Sequence, residues 1–365
     1  MAKPASNTRI LEIQSLRGIA IAMVMVFHFS VRWDGVDNGS ANLYPFKPVS
    51  GALHPLLAQG RLGVHLFFLI SGFVIALTLE NSTGIGDFWK RRFARLWPPL
   101  LVTLPLVWFV AQYSAPLQGV NKSLWALFES FTLINPLILG MGSIGQVTGV
   151  LWTLWVELQF YAIASILYFK FQSLTRGLLA GTFLGLVVYG LVNTRFGLPV
   201  SILFQFSNIA IYLPWFTAGV LAFKIRTKSG TKLWFAFGAC FLASNIEIGT
   251  PVKIFPFWSA SLVCVLVNCL IFGVFTLAAL KTTKTKWLTT WPFLFLGEIS
   301  YELYLIHEPL GMGFLQWLRS YSSLSGYWLA VTTAIALVPL AWLIYRWWSV
   351  PAMRTVRRWL VRRRA

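Results

Sequence analysis

Long apolar runs alternate along the chain with short polar segments that hold most of the charges and many of the prolines. Each run is close to the roughly 20 residues that a helix needs to cross the hydrocarbon core of a bilayer. The pattern therefore predicts an all-α, polytopic transmembrane helical bundle of about ten helices. They cover residues 16–33, 61–80, 97–113, 151–170, 177–194, 205–223, 233–250, 257–280, 291–311 and 327–348.

Composition supports the same class of protein. The chain has 365 residues, of which 57% are hydrophobic and only 11% are charged, whereas soluble domains carry about 25% charged residues. So little charge cannot coat a soluble globule of this size, and the apolar runs leave no room for a sizeable soluble domain. We predict one membrane-embedded domain over residues 1–365, with a core at about 11–348 and a basic cytoplasmic tail at 349–365.

The distribution of positive charge predicts the orientation of the bundle. Of the 30 Lys and Arg residues, 23 fall on one side of the predicted membrane and 7 on the other. The positive-inside rule makes the richer side cytoplasmic, so both termini are predicted to be cytoplasmic. Because the basic residues form short clusters between apolar runs, we attribute the net charge of +19 to orientation and expect no nucleic-acid partner.

Three cysteines lie within apolar runs, and no CxxC or Cys/His spacing accompanies them. We therefore expect neither a disulfide framework nor a metal site. The first apolar run shows no small-residue cleavage site, so we expect no cleaved signal peptide.

Ionisable side chains inside membrane helices are costly and often functional. The first predicted helix carries Arg17 and His28, which share one face and lie about 16 Å apart along the axis. Histidine can accept a proton near neutral pH, so His28 could activate a hydroxyl for attack on an acyl carbonyl. The alternative is a buried histidine that is hydrogen-bonded for packing alone.

Several further polar residues are predicted to lie at the depth of His28. They are Arg61 and His65 on the second predicted helix, Glu157 on the fourth, and His307 and Glu308 above Tyr301 and Tyr304 on the ninth.

A basic cluster precedes the third predicted helix. It contains Arg92 and Arg95, which would lie on one face of a helix and suit a phosphate-rich ligand such as acyl-CoA. Simple cytoplasmic charge is the alternative explanation.

Five segments together resemble the membrane acyltransferase-3 family, in the order of that family: LEIQSLRGIAIAMVMVFHFS, RLGVHLFFLISGFVIAL, FWKRRFARLWPPL, LWTLWVELQFYA and GEISYELYLIHEPL. The resemblance covers residues 11 to 310. It implies transfer of an acyl group, often acetyl, from a cytoplasmic acyl-CoA donor to a hydroxyl, commonly of a surface polysaccharide or glycolipid. It also implies a multi-pass protein of the bacterial cytoplasmic membrane with no permanently bound cofactor.

Position by position, the resemblance implies that His28 is catalytic, with Arg17 and Glu157 as motif partners. Donor binding would then fall to four residues that match the family's later motifs: Arg92, Arg95, Tyr301 and His307. The family most often has an acidic residue where this chain has His65. We expect His65 to be a second polar partner of His28 or, together with Arg61, a contact of the acceptor. We also expect transfer to be completed within the bundle.

Two other classes of protein remain open on the sequence. A proton-coupled carrier would use intramembrane His and Glu residues as a relay, although the two matching halves of common carriers are not evident. A non-catalytic polysaccharide-binding subunit would leave the depth-matched histidines without a role.

Overall fold

The computed structural model describes residues 10–32, 53–113, 122–134, 146–193, 200–228, 230–249, 258–280, 282–324 and 326–362. Every regular element in these ranges is helical, as predicted. The helices are α1 (Leu11–Phe27), α2 (His54–Ala58), α3 (Leu62–Glu80), α4 (Ile85–Tyr113), α5 (Leu124–Thr132), α6 (Trp152–Phe169), α7 (Leu174–Asn193), α8 (Val200–Lys228), α9 (Thr231–Gly249), α10 (Trp258–Ala279), α11 (Trp291–Tyr321), α12 (Gly326–Ile344) and α13 (Val350–Arg362).

Each of the ten predicted segments overlaps one of these helices. Seven stretches in the described part of the chain are long and apolar enough to cross a membrane: Leu11–Arg32, His54–Glu80, Ile85–Tyr113, Gly149–Phe169, Ile209–Lys228, Leu262–Ala279 and Tyr327–Leu360. The protein is therefore a multi-helix membrane protein. The number of helices that cross the bilayer and the side on which the termini lie stay predictions.

Helix α4 begins at Ile85, twelve residues before the predicted start at 97, so the basic cluster belongs to the helix itself. Pro98 and Pro99 lie inside α4 although proline removes a hydrogen-bond donor. Side chains of other helices donate to carbonyls in this stretch: Trp348 Nε1 to Pro98 O at 2.7 Å and the Tyr301 hydroxyl to Leu96 O at 3.2 Å. These hydrogen bonds join α4 to other parts of the second unit.

The chain divides into two compact units. The first unit comprises residues 1–20, 64–88 and 156–298, and the second comprises residues 21–63, 89–155 and 299–365. In the first unit α3 and α8 pack closely at Gly72. A Cβ at this position would meet the Phe216 carbonyl oxygen at 2.0 Å, so only glycine fits there. The second unit contains His28 and its partners.

Candidate active site

His28 lies where helix α1 widens. The α-helical turns end at Phe27, and a single π-helical turn runs from His28 to Arg32. Such π turns often occur at functional sites. His28 Nδ1 is 3.0 Å from the Val24 carbonyl oxygen. A carbonyl oxygen can only accept, so this contact assigns the ring hydrogen to Nδ1 and leaves a lone pair on Nε2.

His307 of α11 packs against His28 in the second unit. Its side chain is fully buried, and its ring centroid is 4.9 Å from that of His28. His307 Nδ1 is 2.6 Å from the Tyr304 carbonyl oxygen, which assigns its hydrogen to Nδ1 by the same reasoning. His307 Nε2 is then an acceptor, 3.4 Å from His28 Nδ1. The Nδ1 hydrogen of His28 therefore lies between two acceptors, Val24 O and His307 Nε2.

Glu308 places a carboxylate beside the other nitrogen of His28. Glu308 Oε1 is 3.9 Å from His28 Nε2, and both side chains are largely buried. Glu308 Oε2 accepts a hydrogen bond from the Thr148 hydroxyl at 3.2 Å. A side chain at Gly149 would come within 2.9 Å of that oxygen, so glycine gives the carboxylate its space.

A pair of hydroxyl groups also joins α11 to the segment around Thr148. The hydroxyls of Thr153 and Tyr304 are 2.8 Å apart, and the Tyr304 hydroxyl is 3.3 Å from the Val150 carbonyl oxygen. These contacts hold residues 148–153 against the same turn of α11 that carries His307 and Glu308.

The arrangement is suited to general-base catalysis. His28 Nε2 can take a proton from a hydroxyl within hydrogen-bond reach. The resulting imidazolium would keep its Nδ1 hydrogen bonded to Val24 O and His307 Nε2, and the Glu308 carboxylate would stabilise the new charge at Nε2.

The structure places the other predicted site residues in several environments. Glu157 belongs to the first unit, where its Oε1 accepts hydrogen bonds from Ser71 at 2.6 Å and Tyr161 at 2.7 Å. His65 belongs to the same unit and is buried against the rings of Tyr212 and Trp215.

Arg92 and Arg95 lie one turn apart on α4 in the second unit, Arg92 buried and Arg95 partly exposed. Their neighbour Arg91 is exposed, so the pair faces inwards, as predicted for a shared face. Tyr301 contacts α4 through Leu96, next to Arg95. Arg61 ends a short 3₁₀ turn before α3, and Arg17 is partly buried on α1.

Sequence reasoning placed His28, His307 and Glu308 at one depth, and the structure brings them together. It missed Thr148 and Gly149, which lie between the predicted helices 97–113 and 151–170, and Thr153, which lies inside the segment LWTLWVELQFYA but was not singled out there. Within the described residues no group of three or more His, Cys, Asp or Glu side chains is placed to hold a metal ion. The cysteines Cys240, Cys264 and Cys269 are free thiols.

Comparison with known proteins identifies the family of the chain. A family model described as an acyltransferase domain, that of acyltransferase family 3, matches residues 10–346. The chain is 23% identical to the acyltransferase MdmB of Streptomyces mycarofaciens over 97% of this chain and 94% of that protein. It is 26% identical to the peptidoglycan O-acetyltransferase OatA of Listeria monocytogenes over 43% of this chain and 24% of that protein. No solved structure matches the chain.

The several membrane-length helices and the acyltransferase family match together define the class of membrane-embedded acyltransferases. The family match covers most of the chain, so the chain belongs to the acyltransferase-3 family. It is an O-acyltransferase.

Proposed function

We propose that the protein transfers an acetyl group from acetyl-CoA to a hydroxyl of a sugar in a surface polysaccharide or glycolipid, at the bacterial cytoplasmic membrane. The observation that carries this proposal is the geometry of His28, whose Nδ1 hydrogen is held and whose Nε2 is left to act as a base beside Glu308.

The proposed reaction is a direct transfer. The acceptor hydroxyl gives its proton to His28 Nε2 while its oxygen attacks the thioester carbonyl. The carbon–sulfur bond then breaks, the CoA sulfur leaves as a thiolate, and His28 returns the proton to it. Glu308 stabilises the imidazolium between these two steps, so the enzyme ends the cycle unchanged.

Arg92 and Arg95 are the proposed contacts for the phosphates of the donor. Both side chains lie on the inward face of α4, and a paired guanidinium surface binds phosphates by bidentate hydrogen bonds. Tyr301 would hold this part of α4 through its hydrogen bond to Leu96 O. His307 acts, in this proposal, as the acceptor that fixes His28.

The experiment supplies membranes containing the protein with isotopically labelled acetyl-CoA and a panel of methyl glycosides, beside the glycans already in the membrane. Mass spectrometry detects the labelled ester, and a thiol reagent detects the CoA released. We expect ester formation with the wild type and none with His28→Ala at equal protein level. Absence of labelled ester on every glycoside and on the membrane glycans would overturn the proposal.

A further inference from the structure

A short helix lies beside the segment that leads into the active site. Helix α5 (Leu124–Thr132) begins at Ser123, whose hydroxyl accepts a hydrogen bond from Ala126 N at 3.1 Å. Its nine residues are too few to cross a bilayer. Val147 N donates to the Ser130 hydroxyl at 3.4 Å, so α5 contacts the chain just before Thr148.

Two buried side chains in this region have polar atoms that lack a hydrogen-bond partner among the residues that the structure describes. Glu129 is only 6% exposed, and neither carboxylate oxygen is paired. Gln146 is 7% exposed, and its amide nitrogen is unpaired. Unpaired buried polar groups are rare because each loses its hydration without compensation, and a buried carboxylate loses most.

Both groups are close to the catalytic histidine along a short chain of contacts. Gln146 precedes Thr148 by two residues, which span at most about 7 Å of chain. Thr148 donates to Glu308, and Glu308 lies 3.9 Å from His28 Nε2. The hydrogen bond from Val147 to Ser130 then links the neighbours of Gln146 and Glu129.

We propose that Glu129 and Gln146 form an acceptor subsite that binds a second hydroxyl of the acceptor, so that the substrate class is a polyhydroxylated molecule. This inference rests on the proposed function, because it assumes that the hydroxyl to be acetylated lies at His28. The pair selects which hydroxyl reaches His28 by holding its neighbour.

The chemistry of the pair fits a hydroxyl. A carboxylate only accepts hydrogen bonds, whereas the amide nitrogen of Gln146 only donates them. A hydroxyl does both and can therefore satisfy both side chains at once. Burial raises the pKa of the Glu129 carboxyl, so the charged form gains from every donor that a ligand brings. The same negative charge repels the phosphates of acyl-CoA, which makes the acceptor the better occupant.

The first test compares Glu129→Gln and Gln146→Leu with the wild type, using acetyl-CoA and the methyl glycoside that the wild type acetylates fastest. If only membrane glycans are acetylated, a soluble fragment of that glycan replaces the glycoside. We expect the KM for the acceptor to rise about 10- to 100-fold in Glu129→Gln, which loses a hydrogen bond to a charged group, and about fivefold in Gln146→Leu, which loses a neutral one. The KM for acetyl-CoA should stay within about twofold.

A control variant separates binding from structure. Ser123→Ala removes the N-terminal cap of α5 and leaves Glu129 and Gln146 in place. It should leave the KM for the acceptor unchanged. If Ser123→Ala raises that KM as much as Glu129→Gln does, the effect comes from α5 stability and the inference is overturned.

Deoxy acceptors test the contact itself. Removing the hydroxyl next to the acetylated one should weaken the acceptor in the wild type and cause no further loss in Glu129→Gln. Thermal unfolding in detergent provides the second readout: Glu129→Gln should unfold no lower than the wild type, because a buried unpaired charge has been removed. A lower unfolding temperature, together with an unchanged acceptor KM, would identify Glu129 as structural and overturn the inference.

The two proposals fail in different ways. If the wild type transfers acetyl to no hydroxyl compound, the proposed function fails and this inference fails with it. If the wild type transfers acetyl normally and both subsite variants keep the wild-type KM for the acceptor, only the subsite is rejected.

Discussion

Two carboxylates, Glu308 of α11 and Glu157 of α6, have opposite environments. Glu157 Oε1 accepts two short hydrogen bonds, from Ser71 of α3 and Tyr161 of its own helix. Glu308 accepts one longer bond on Oε2, from Thr148, and its Oε1 is directed towards His28 Nε2 at 3.9 Å. The sequence predicts a similar depth for both glutamates, so only their hydrogen-bond partners distinguish their roles.

This difference indicates which of the two carboxylates is suited to catalysis. Two hydroxyl donors at one oxygen stabilise a fixed negative charge and connect α3 to α6. A carboxylate oxygen that is aimed at a histidine nitrogen gains most when that nitrogen becomes charged, and a charge that develops during reaction is what an enzyme must stabilise. We therefore expect Glu308 to act on the reaction rate and Glu157 to act on stability.

The largest effect is expected from His28→Ala, which removes the proposed base. Loss of a general base typically lowers the rate about 10²- to 10⁴-fold. The measurement is labelled ester formation per folded protein, with folded protein quantified by size-exclusion chromatography in detergent. His28→Gln is a useful companion, because it keeps a polar side chain and should be as inactive. Full activity in either folded variant would remove His28 from the mechanism.

Glu308→Gln should have the next largest effect. The amide oxygen can still accept from Thr148, but the charge beside His28 Nε2 is gone. At about 4 Å two unit charges attract by about 4 kcal/mol when the effective dielectric constant is near 20, and part of this is lost to solvent screening. We expect kcat to fall about 10²-fold with little change in the KM for acetyl-CoA.

Thr148→Val is the matched control for Glu308→Gln, because it removes the neutral hydrogen bond and keeps the carboxylate. One such bond is worth about 1 kcal/mol, so a loss of about fivefold is expected. If Thr148→Val is as damaging as Glu308→Gln, the position of the carboxylate matters more than its charge.

Arg92→Ala and Arg95→Ala test the proposed donor site, which lies outside both carboxylate clusters. We expect the KM for acetyl-CoA to rise about tenfold with a smaller change for the acceptor, since a phosphate contact adds binding energy without entering the proton transfer. Lysine should rescue only in part, because a point charge cannot replace a bidentate fork. Exposed Arg91→Ala is the control, and an equal effect there would indicate a general role of cytoplasmic charge.

The sequence predicted the helical segments well because a bilayer imposes a length and an apolar composition on each of them. It also predicted that His28 and His307 lie at one depth, since the depth of each residue follows from its position along its helix. It did not predict α5, which lies in the long polar segment 114–150 and has no membrane-length run. It also placed the start of α4 too late, because Pro98 and Pro99 resemble a helix boundary although the helix continues through both of them.

The sequence alone did not predict which side chains contact one another. Thr148 and Glu308 are 160 positions apart, and nothing periodic connects them. Glu157 was predicted to be catalytic from its position in a motif, but its depth alone could not reveal that Ser71 and Tyr161 both bind one oxygen.

The smallest effect on activity is expected at Glu157. Glu157→Gln keeps an oxygen that accepts from Ser71 and Tyr161, whereas Glu157→Leu leaves both hydroxyls without it. Because hydrogen bonds within membrane helix bundles are individually weak, Glu157→Leu should cost about 1–3 kcal/mol of unfolding free energy. Glu157→Gln should cost less than half of that.

The measurement for Glu157 is thermal unfolding in detergent beside kcat per folded protein. Both variants should keep a kcat within about threefold of the wild type once folded protein is counted. In this interpretation Glu157 takes no part in proton transfer at His28. A Glu157→Gln protein that unfolds like the wild type but has lost 10²-fold in kcat would reverse the comparison. Glu157 would then need its charge for the reaction, as its motif position implies, and the two carboxylates would share the catalytic work.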